Sequence, residues 1–163
     1  MVTSDLPKLK IGHESSEAMP MDFRPHHHPD RFSLGENWNE KSPLTVLVVD
    51  DDEELRSLMI TLLSRDGYRA LGAQNGLIAQ AIFLSERPAL VISDLDMPVC
   101  DGWELLAFFH AQFPAIPVLL ISGKPLGRKP EIEGWAAGFL PKPFNGSRFR
   151  LAIGEALTRA DSR

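Results

Sequence analysis

Several short apolar segments of this 163-residue sequence are each followed by a residue that could do chemistry. Three aspartates follow the first of these segments, one aspartate follows another, and a serine and a lysine follow two more. Carboxylates, a hydroxyl and an ammonium group together could bind a cation and position a phosphoryl group. The residues are Asp50, Asp51, Asp52, Asp94, Ser122 and Lys142.

The aspartates predict a metal site, provided that the chain brings them together. Unpaired like charges a few ångströms apart raise each other's proton affinity, whereas a bound cation removes that conflict. Because the candidate ligands are all oxygens, we expect Mg²⁺ held by two or three carboxylates. Asp50 and Asp51 are the expected ligands. Asp52 is followed by two glutamates and could instead cap a helix.

The same residues could accept a phosphoryl group. Phosphoryl transfer needs an in-line nucleophile, a cation near the oxygens and donors for the spread negative charge. Asp94 could be the nucleophile, because a carboxylate can form an acyl phosphate. Lys142 could act as a point charge on one phosphoryl oxygen, and Ser122 could donate to another. Taken singly, Lys142 could equally be a surface lysine and Ser122 a turn residue.

Strand and helix patterns alternate five times, which predicts an α/β fold with a parallel sheet covered by helices on both faces. Ligands of such sheets bind beyond the carboxyl ends of the strands, so the candidate residues should share one crevice. The predicted strands are Thr45–Val49, Tyr68–Ala73, Ala89–Ser93, Val118–Ile121 and Phe139–Leu140. The predicted helices are Glu53–Asp66, Gly76–Ser85, Gly102–Gln112, a weak segment at Glu131–Ala137, and Gly146–Arg159.

Composition divides the chain into two parts. Residues 1–44 carry five prolines and no periodic apolar pattern, which predicts a disordered or flexible tail. Residues 45–160 are expected to form one domain, without an output domain after it. The net charge of −5 and the lack of a basic block argue against nucleic-acid binding. A single cysteine, and no apolar run of about 18 residues, predict a cytoplasmic protein outside the membrane.

The motifs at the strand ends closely resemble those of the bacterial response-regulator receiver family, the CheY-like superfamily. They occur in the family's order at near-family spacing, and the resemblance covers roughly residues 44–160. The matching segments are Leu47-Val48-Val49-Asp50-Asp51-Asp52, Ser93-Asp94-Leu95-Asp96-Met97-Pro98 followed by Asp101-Gly102, Leu120-Ile121-Ser122-Gly123, and Phe139-Leu140-Pro141-Lys142-Pro143-Phe144.

The resemblance implies a flavodoxin-like three-layer sandwich, whose five-stranded parallel sheet has the order 2-1-3-4-5. It also implies that Asp94 accepts a phosphoryl group from a histidine of a sensor kinase or phosphotransfer protein. Asp51 and Asp94 would bind Mg²⁺ directly, together with the main-chain carbonyl of Asp96, and Asp50 would assist. Ser122 and Lys142 would contact the phosphoryl group.

A conformational switch is also implied by the resemblance. Ser122 would move toward the phosphoryl group and Phe139, the switch aromatic, would fill the vacated space. The Lys142–Pro143 peptide bond would be cis. On the first predicted helix, Arg56 and Ile60 lie four residues apart and off the apolar stripe. An exposed Ile60 could mark a kinase-docking surface, or it could be a stray surface residue.

Two other functions compete with phosphoryl acceptance. A phosphatase of the haloacid-dehalogenase type also uses an Asp nucleophile and Mg²⁺, but its nucleophile follows the first strand and its extra acids follow the lysine. A receiver that no longer uses phosphate could act as a constitutive protein-binding module. We therefore expect a phosphorelay protein that is no enzyme beyond its own phosphorylation and dephosphorylation, and that signals to an unknown protein partner.

Overall fold

Strands and helices alternate along the part of the chain that the computed structural model describes, residues 42–124 and 134–161. The strands are β1 (Thr45–Val49), β2 (Arg69–Ala73), β3 (Leu90–Asp94), β4 (Val118–Ser122) and β5 (Gly138–Pro141). The described helices are α1 (Glu53–Arg65), α2 (Gly76–Glu86), α3 (Gly102–Gln112) and α4 (Gly146–Asp161).

Two predicted segments fall wholly or partly outside the described residues. The predicted tail, residues 1–44, lies outside them except for residues 42–44. The weak helix predicted at Glu131–Ala137 lies partly outside as well, and its described part, residues 134–137, forms turns and bends. None of the helices in the described ranges is long and apolar enough to cross a membrane.

The five strands form one parallel sheet of order β2-β1-β3-β4-β5, which confirms the predicted fold. β3 and β4 are buried along their whole length, as expected for central strands covered on both faces. In the register of the sheet, Asp94 pairs with Ile121 and Ser122 pairs with Pro141. The carboxyl ends of β3, β4 and β5 therefore meet at one edge.

Alternate strand residues build two apolar cores, one on each face of the sheet. The first core lies under α2 and α3 and contains Phe83 and Phe109, whose rings pack edge to face with centroids 4.8 Å apart. The second core lies under α1 and α4 and contains Met59 and Phe149. The two cores anchor the helices whose loops carry the candidate residues.

Ile60 of helix α1 differs from its sequence expectation, while Met59 and Leu63 of the same helix are buried in the second core. Leu58 is 54% exposed. Ile60, which we expected to be exposed, is half-buried and packs against the second core. Gly72 in β2 makes the room, since a Cβ there would lie 2.9 Å from Ile60 Cδ1 and 3.4 Å from Arg56 Cδ.

Candidate functional site

The carboxyl edge of the sheet brings together three of the predicted aspartates. Carboxylate oxygens of Asp50, Asp51 and Asp94 lie within 4.8 Å of one another. Asp50 and Asp94 are buried, at 0% and 5% exposure, whereas Asp51 is exposed. Adjacent strands cause this proximity, because β1 and β3 are neighbours in the sheet. Two buried acids and one accessible acid therefore form a single cluster.

Lys142 supplies the cation of the cluster. Its Nζ lies 2.7 Å from Asp94 Oδ1 and 3.2 Å from Asp50 Oδ2. The lysine stands just after β5, where its main-chain N–H donates to the carbonyl of Ser122 at 2.8 Å. The Lys142–Pro143 peptide bond is cis. One ammonium group thus bridges two buried carboxylates that come from different strands.

Main-chain donors fix the orientation of both buried carboxylates, and a side-chain donor binds the main chain of Asp50. The N–H of Asp52 donates to Asp50 Oδ1 at 2.9 Å, and the N–H of Asp96 donates to Asp94 Oδ2 at 3.0 Å. Arg56 donates from its guanidinium to the main-chain carbonyl of Asp50 at 2.6 Å. The sequence pattern does not predict this contact, because it indicates only that Arg56 could belong to a docking surface on the first helix.

The two charged groups at the centre have shifted proton affinities. Burial raises the pKa of Asp50 above its usual value, although the Asp52 N–H and the Lys142 ammonium act in the opposite direction. Burial alone would lower the pKa of Lys142, but the adjacent carboxylates of Asp94 and Asp50 outweigh it and raise that pKa. Lys142 therefore stays charged at neutral pH.

The donor set of the cluster fits a hard divalent cation. It offers carboxylate oxygens within 4.8 Å of one another, and no sulfur or imidazole belongs to it. Mg²⁺ is typically held by one or two carboxylates together with waters and phosphate oxygens. Three carboxylates share the one ammonium group of Lys142, so the lysine alone does not balance their charge. A second positive charge would therefore be accommodated there.

Asp52 takes the alternative role considered for it. Its Oδ1 accepts from the main-chain N–H of Glu54 at 2.9 Å and of Leu55 at 3.0 Å. These bonds satisfy main-chain donors of the first turn of α1 that have no partner within the helix. The prediction of a helix cap is confirmed. Of the three consecutive aspartates, Asp52 caps α1, whereas Asp50 and Asp51 belong to the cluster.

Ser122 is the last residue of β4, and Phe139 lies on the neighbouring strand β5, opposite Leu120. The Ser122 hydroxyl accepts from the main-chain N–H of Lys124 at 3.0 Å and donates to its carbonyl at 3.1 Å. The side chain of Lys124 in turn pairs with Asp96 Oδ1 at 3.1 Å. Phe139 is half-buried and packs against the first core. The hydroxyl is thus engaged by its own loop.

A cavity of about 540 Å³ opens beside the cluster. Trp103 lines this cavity together with Asp96 and Ser122. The neighbouring Gly102 packs against the main chain of Asp94, since a Cβ there would lie 2.3 Å from the main-chain oxygen of Asp94. Only glycine allows the start of α3 to approach Asp94 so closely.

Comparison with known proteins gives the family. The family model of the response regulator receiver domain matches residues 46–154. The chain belongs to this family. Receiver domains act in two-component signal transduction, where they interact with histidine kinases or phosphotransfer proteins.

Individual relatives agree with this assignment. The chain is 33% identical over 128 residues to the probable transcriptional regulator ycf27 of Porphyra purpurea, which covers 77% of this chain and 51% of that protein. It is 34% identical over 128 residues to histidine kinase P4 of Formosa agariphila, covering 76% of this chain and 9% of the kinase. The chain therefore spans about half, or much less, of the length of these relatives.

Solved structures show the same architecture. Chemotaxis protein CheY4 of Vibrio cholerae is 28% identical with a TM-score of 0.66, and the match covers 71% of this chain and 99% of that one. Response regulator TrrA of Thermotoga maritima, solved in complex with Mg²⁺ and BeF, is 27% identical with a TM-score of 0.65. That match covers 70% of this chain and 99% of TrrA.

Replacing Lys142 by methionine should destabilise the fold and make its stability strongly pH-dependent. Loss of the ammonium leaves two buried carboxylates without their cation, which we expect to cost about 2–3 kcal/mol of unfolding free energy at pH 7. Without the ammonium, the folded-state pKa of the buried Asp50 carboxyl would rise further above its unfolded value, so the deficit should shrink as the pH falls from 7 toward about 4.

Urea unfolding of Lys142→Met at several pH values tests this expectation. Lys124→Met is the matched control, because the Lys124 side chain is 74% exposed in its pair with Asp96. We expect that control to change the unfolding free energy by less than about 0.5 kcal/mol. Equal effects of the two substitutions at pH 7 would show that the Lys142 bridge contributes nothing special.

Proposed function

We propose that Asp94 accepts a phosphoryl group from a phosphohistidine of a sensor kinase or phosphotransfer protein. The observation that carries this proposal is the Asp94 carboxylate itself, which is 5% exposed and lies 2.7 Å from a lysine ammonium. It also shares its cluster with two other aspartates. In a receiver domain, a carboxylate so placed at the end of β3 is the expected nucleophile.

The transfer exchanges one bond to phosphorus for another. A carboxylate oxygen of Asp94 attacks the phosphorus, and a P–O bond forms as the P–N bond to the imidazole breaks. The electron pair of the broken bond stays on the ring nitrogen, which takes up a proton from solvent. Because little covalent assistance is needed, positioning and charge stabilisation supply the catalysis.

Asp50, Asp51 and Asp94 would hold Mg²⁺, with the main-chain carbonyl of Asp96 as a further ligand. When bound, the ion supplies positive charge that stabilises the phosphoryl oxygens during transfer. The oxygen-only donor set supports this proposal. The solved complex of TrrA with Mg²⁺ and BeF is consistent with it, since that protein shares the fold of this chain.

Lys142 and Ser122 would contact the transferred group. The raised pKa of Lys142 keeps its ammonium charged, and its position beside Asp94 places that charge next to the new P–O bond. The Ser122 hydroxyl would have to leave its two bonds with Lys124 before it could donate to a phosphoryl oxygen. A hydrogen bond to a charged phosphoryl oxygen is stronger than a bond to a neutral main-chain group. This difference would favour movement of the loop toward the phosphoryl group.

Phe139 would complete the switch by filling the space that Ser122 vacates. Its ring is half-buried and packs against the first core. Moving an equilibrium from 1:99 to 99:1 requires about 5.5 kcal/mol, whereas one hydrogen bond to a charged group contributes about 1.5–3 kcal/mol. Ser122 alone would therefore not supply the free energy of the switch, and Lys142 and the metal would supply the rest. The signal would then pass by protein contacts to a partner.

Two further features are the extent of the domain and the surface of helix α1. Residues 45–160 would form the phosphoryl-accepting domain, and residues 1–44 a separate segment. Arg56 donates to the carbonyl of Asp50, and Ile60 is half-buried. A kinase that docks against α1 would therefore need further contacts on this helix. Leu58 is the large apolar side chain of α1 that is exposed.

Incubation with acetyl phosphate and Mg²⁺ should add one phosphoryl group to the full chain, detected as an intact-mass increase. Asp94→Ala should show no adduct, because the nucleophile is gone. Asp96→Ala is the matched control, since it removes a carboxylate two residues away and should leave the adduct in place. EDTA should prevent the reaction with the unmodified chain.

Two results would contradict this function. An adduct that persists in Asp94→Ala would place the nucleophile elsewhere. The absence of any adduct, under conditions that label another receiver domain, would instead support a phosphate-independent binding module, particularly if beryllofluoride also failed to bind.

Ser122→Ala should still accept the phosphoryl group but switch incompletely. Loss of about 1.5–3 kcal/mol from a 99:1 equilibrium leaves roughly 40–90% of the phosphorylated molecules in the switched state. Amide chemical shifts along β4 and β5, recorded with beryllofluoride, measure that fraction. Ser85→Ala is the control, because the Ser85 hydroxyl also donates to a nearby carbonyl, that of Ile82 at 3.0 Å. Full switching of Ser122→Ala would rule out this role for the hydroxyl.

A further inference from the structure

Trp103 gives the cavity beside the aspartate cluster an aromatic wall. It is the second residue of α3 and is half-buried. It packs against the first core and also lines the cavity of about 540 Å³. A cavity of this volume is large enough to hold a small molecule or a side chain of another protein. The cavity therefore has the size and the aromatic surface of a binding site.

The wall of this cavity begins at residues that surround Asp94. Asp96 lines it, and the main-chain N–H of Asp96 donates to Asp94 Oδ2 at 3.0 Å. Ser122 also lines it and ends β4, the strand that pairs with β3. Gly102, which precedes Trp103, packs against the main chain of Asp94. A group that reacts at the Asp94 carboxylate would thus have this cavity beside it.

The charged groups of the described lining carry an excess of negative charge. They are two carboxylates, Asp96 and Asp101, and one ammonium group, Lys124. Lys124 Nζ lies 3.1 Å from Asp96 Oδ1, whereas Asp101 caps α3 by accepting from the N–H of Glu104 at 2.8 Å. Because like charges repel, the cavity favours a neutral or positively charged occupant over an anion.

The chemistry proposed for Asp94 supplies an occupant with these properties. In phosphoryl transfer, the attacking and leaving atoms lie roughly in line with the phosphorus. The leaving group is therefore on the side of the phosphorus that faces away from Asp94. For a phosphohistidine donor this group is an imidazole, which is flat, aromatic and either neutral or cationic. Flat aromatic rings pack favourably against one another, and Trp103 offers such a ring.

We infer that the cavity is the subsite for the leaving imidazole of the phosphohistidine donor, with Trp103 as its stacking surface. This inference rests on the proposed function and adds a preference among donors. As the P–O bond to Asp94 forms, the P–N bond breaks, and the imidazole keeps the electron pair and takes up a proton from solvent while it is stacked on Trp103. Trp103 thus determines specificity, and Asp94 remains the nucleophile.

Small phosphodonors that differ in their leaving group test this subsite. Phosphoimidazole releases an aromatic ring, phosphoramidate also has a P–N bond but releases ammonia, and acetyl phosphate releases an anion. The second-order rate constant of each with the full chain and Mg²⁺ is measured from the intact mass over time. Trp103→Leu should lower the phosphoimidazole rate constant about 3- to 10-fold and leave the other two within about twofold, because only the imidazole stacks.

Two further variants separate stacking from packing. Trp103→Phe keeps an aromatic ring and should retain most of the phosphoimidazole rate constant. Trp135→Leu is the matched control, because Trp135 is also half-buried against the first core but stacks on His110, with ring centroids 4.0 Å apart. This control should leave the relative rate constants of the donors unchanged.

A measurement on the unmodified chain does not depend on how well a variant folds. Imidazole added to the chain loaded with Mg²⁺ and beryllofluoride, at constant pH, should shift the indole N–H signal of Trp103 and leave that of Trp135 in place. Acetate at the same concentration should shift neither signal.

Three results would overturn the inference. An unchanged phosphoimidazole rate constant in Trp103→Leu would show that the ring does not stack there. An equal loss with all three donors would make Trp103 a packing residue, and an unshifted Trp103 indole signal would show that the cavity does not hold imidazole. In each of these cases the proposed function would stand, whereas an unmodified chain that accepts no phosphoryl group from any donor would contradict that function and this inference together.

Discussion

A single ammonium group between two buried carboxylates is the interaction on which the site depends. Lys142 Nζ lies within 3.2 Å of both Asp50 and Asp94, and without it two acids would be buried side by side. Strand order creates this geometry, because β1 and β3 are neighbours while β5 ends two strands away from β3. A lysine side chain is long enough to return across that distance. The strand order of the parallel sheet therefore positions the charged side chains of the cluster as well as the apolar side chains of the core.

Charge balance also explains why the cluster suits phosphate chemistry. Three carboxylates surround the one ammonium group of Lys142, so the cluster carries an excess of negative charge and would gain from a divalent cation. The same lysine, held charged by its neighbours, would be available to a phosphoryl oxygen in the proposed transfer to Asp94. The Ser122 hydroxyl is bonded to the main chain of Lys124, and in the proposed switch it would exchange those bonds for a phosphoryl oxygen.

Most of the fold could be predicted from the sequence, and so could which residues meet at the strand ends. Continuous apolar runs followed by Asp, Ser and Lys identify buried parallel strands, and their carboxyl ends must share an edge. The partial burial of Ile60 could not be predicted in this way, because it packs beside Gly72 in a different element. The contact of Arg56 with the Asp50 carbonyl likewise joins α1 to the end of β1. The burial of these side chains depends on contacts between elements, which the periodicity of a single helix does not reveal.

The dependence of stability on Mg²⁺ tests the charge cluster most directly. We predict that the unfolding free energy at pH 7 and constant ionic strength rises with Mg²⁺ concentration, approaching about 1.4 kcal/mol per tenfold increase above the dissociation constant. Asp51→Asn should remove most of this rise without disturbing the fold, because Asp51 is exposed. A stability that is independent of Mg²⁺, or an identical rise in Asp51→Asn, would contradict a metal site built on these aspartates.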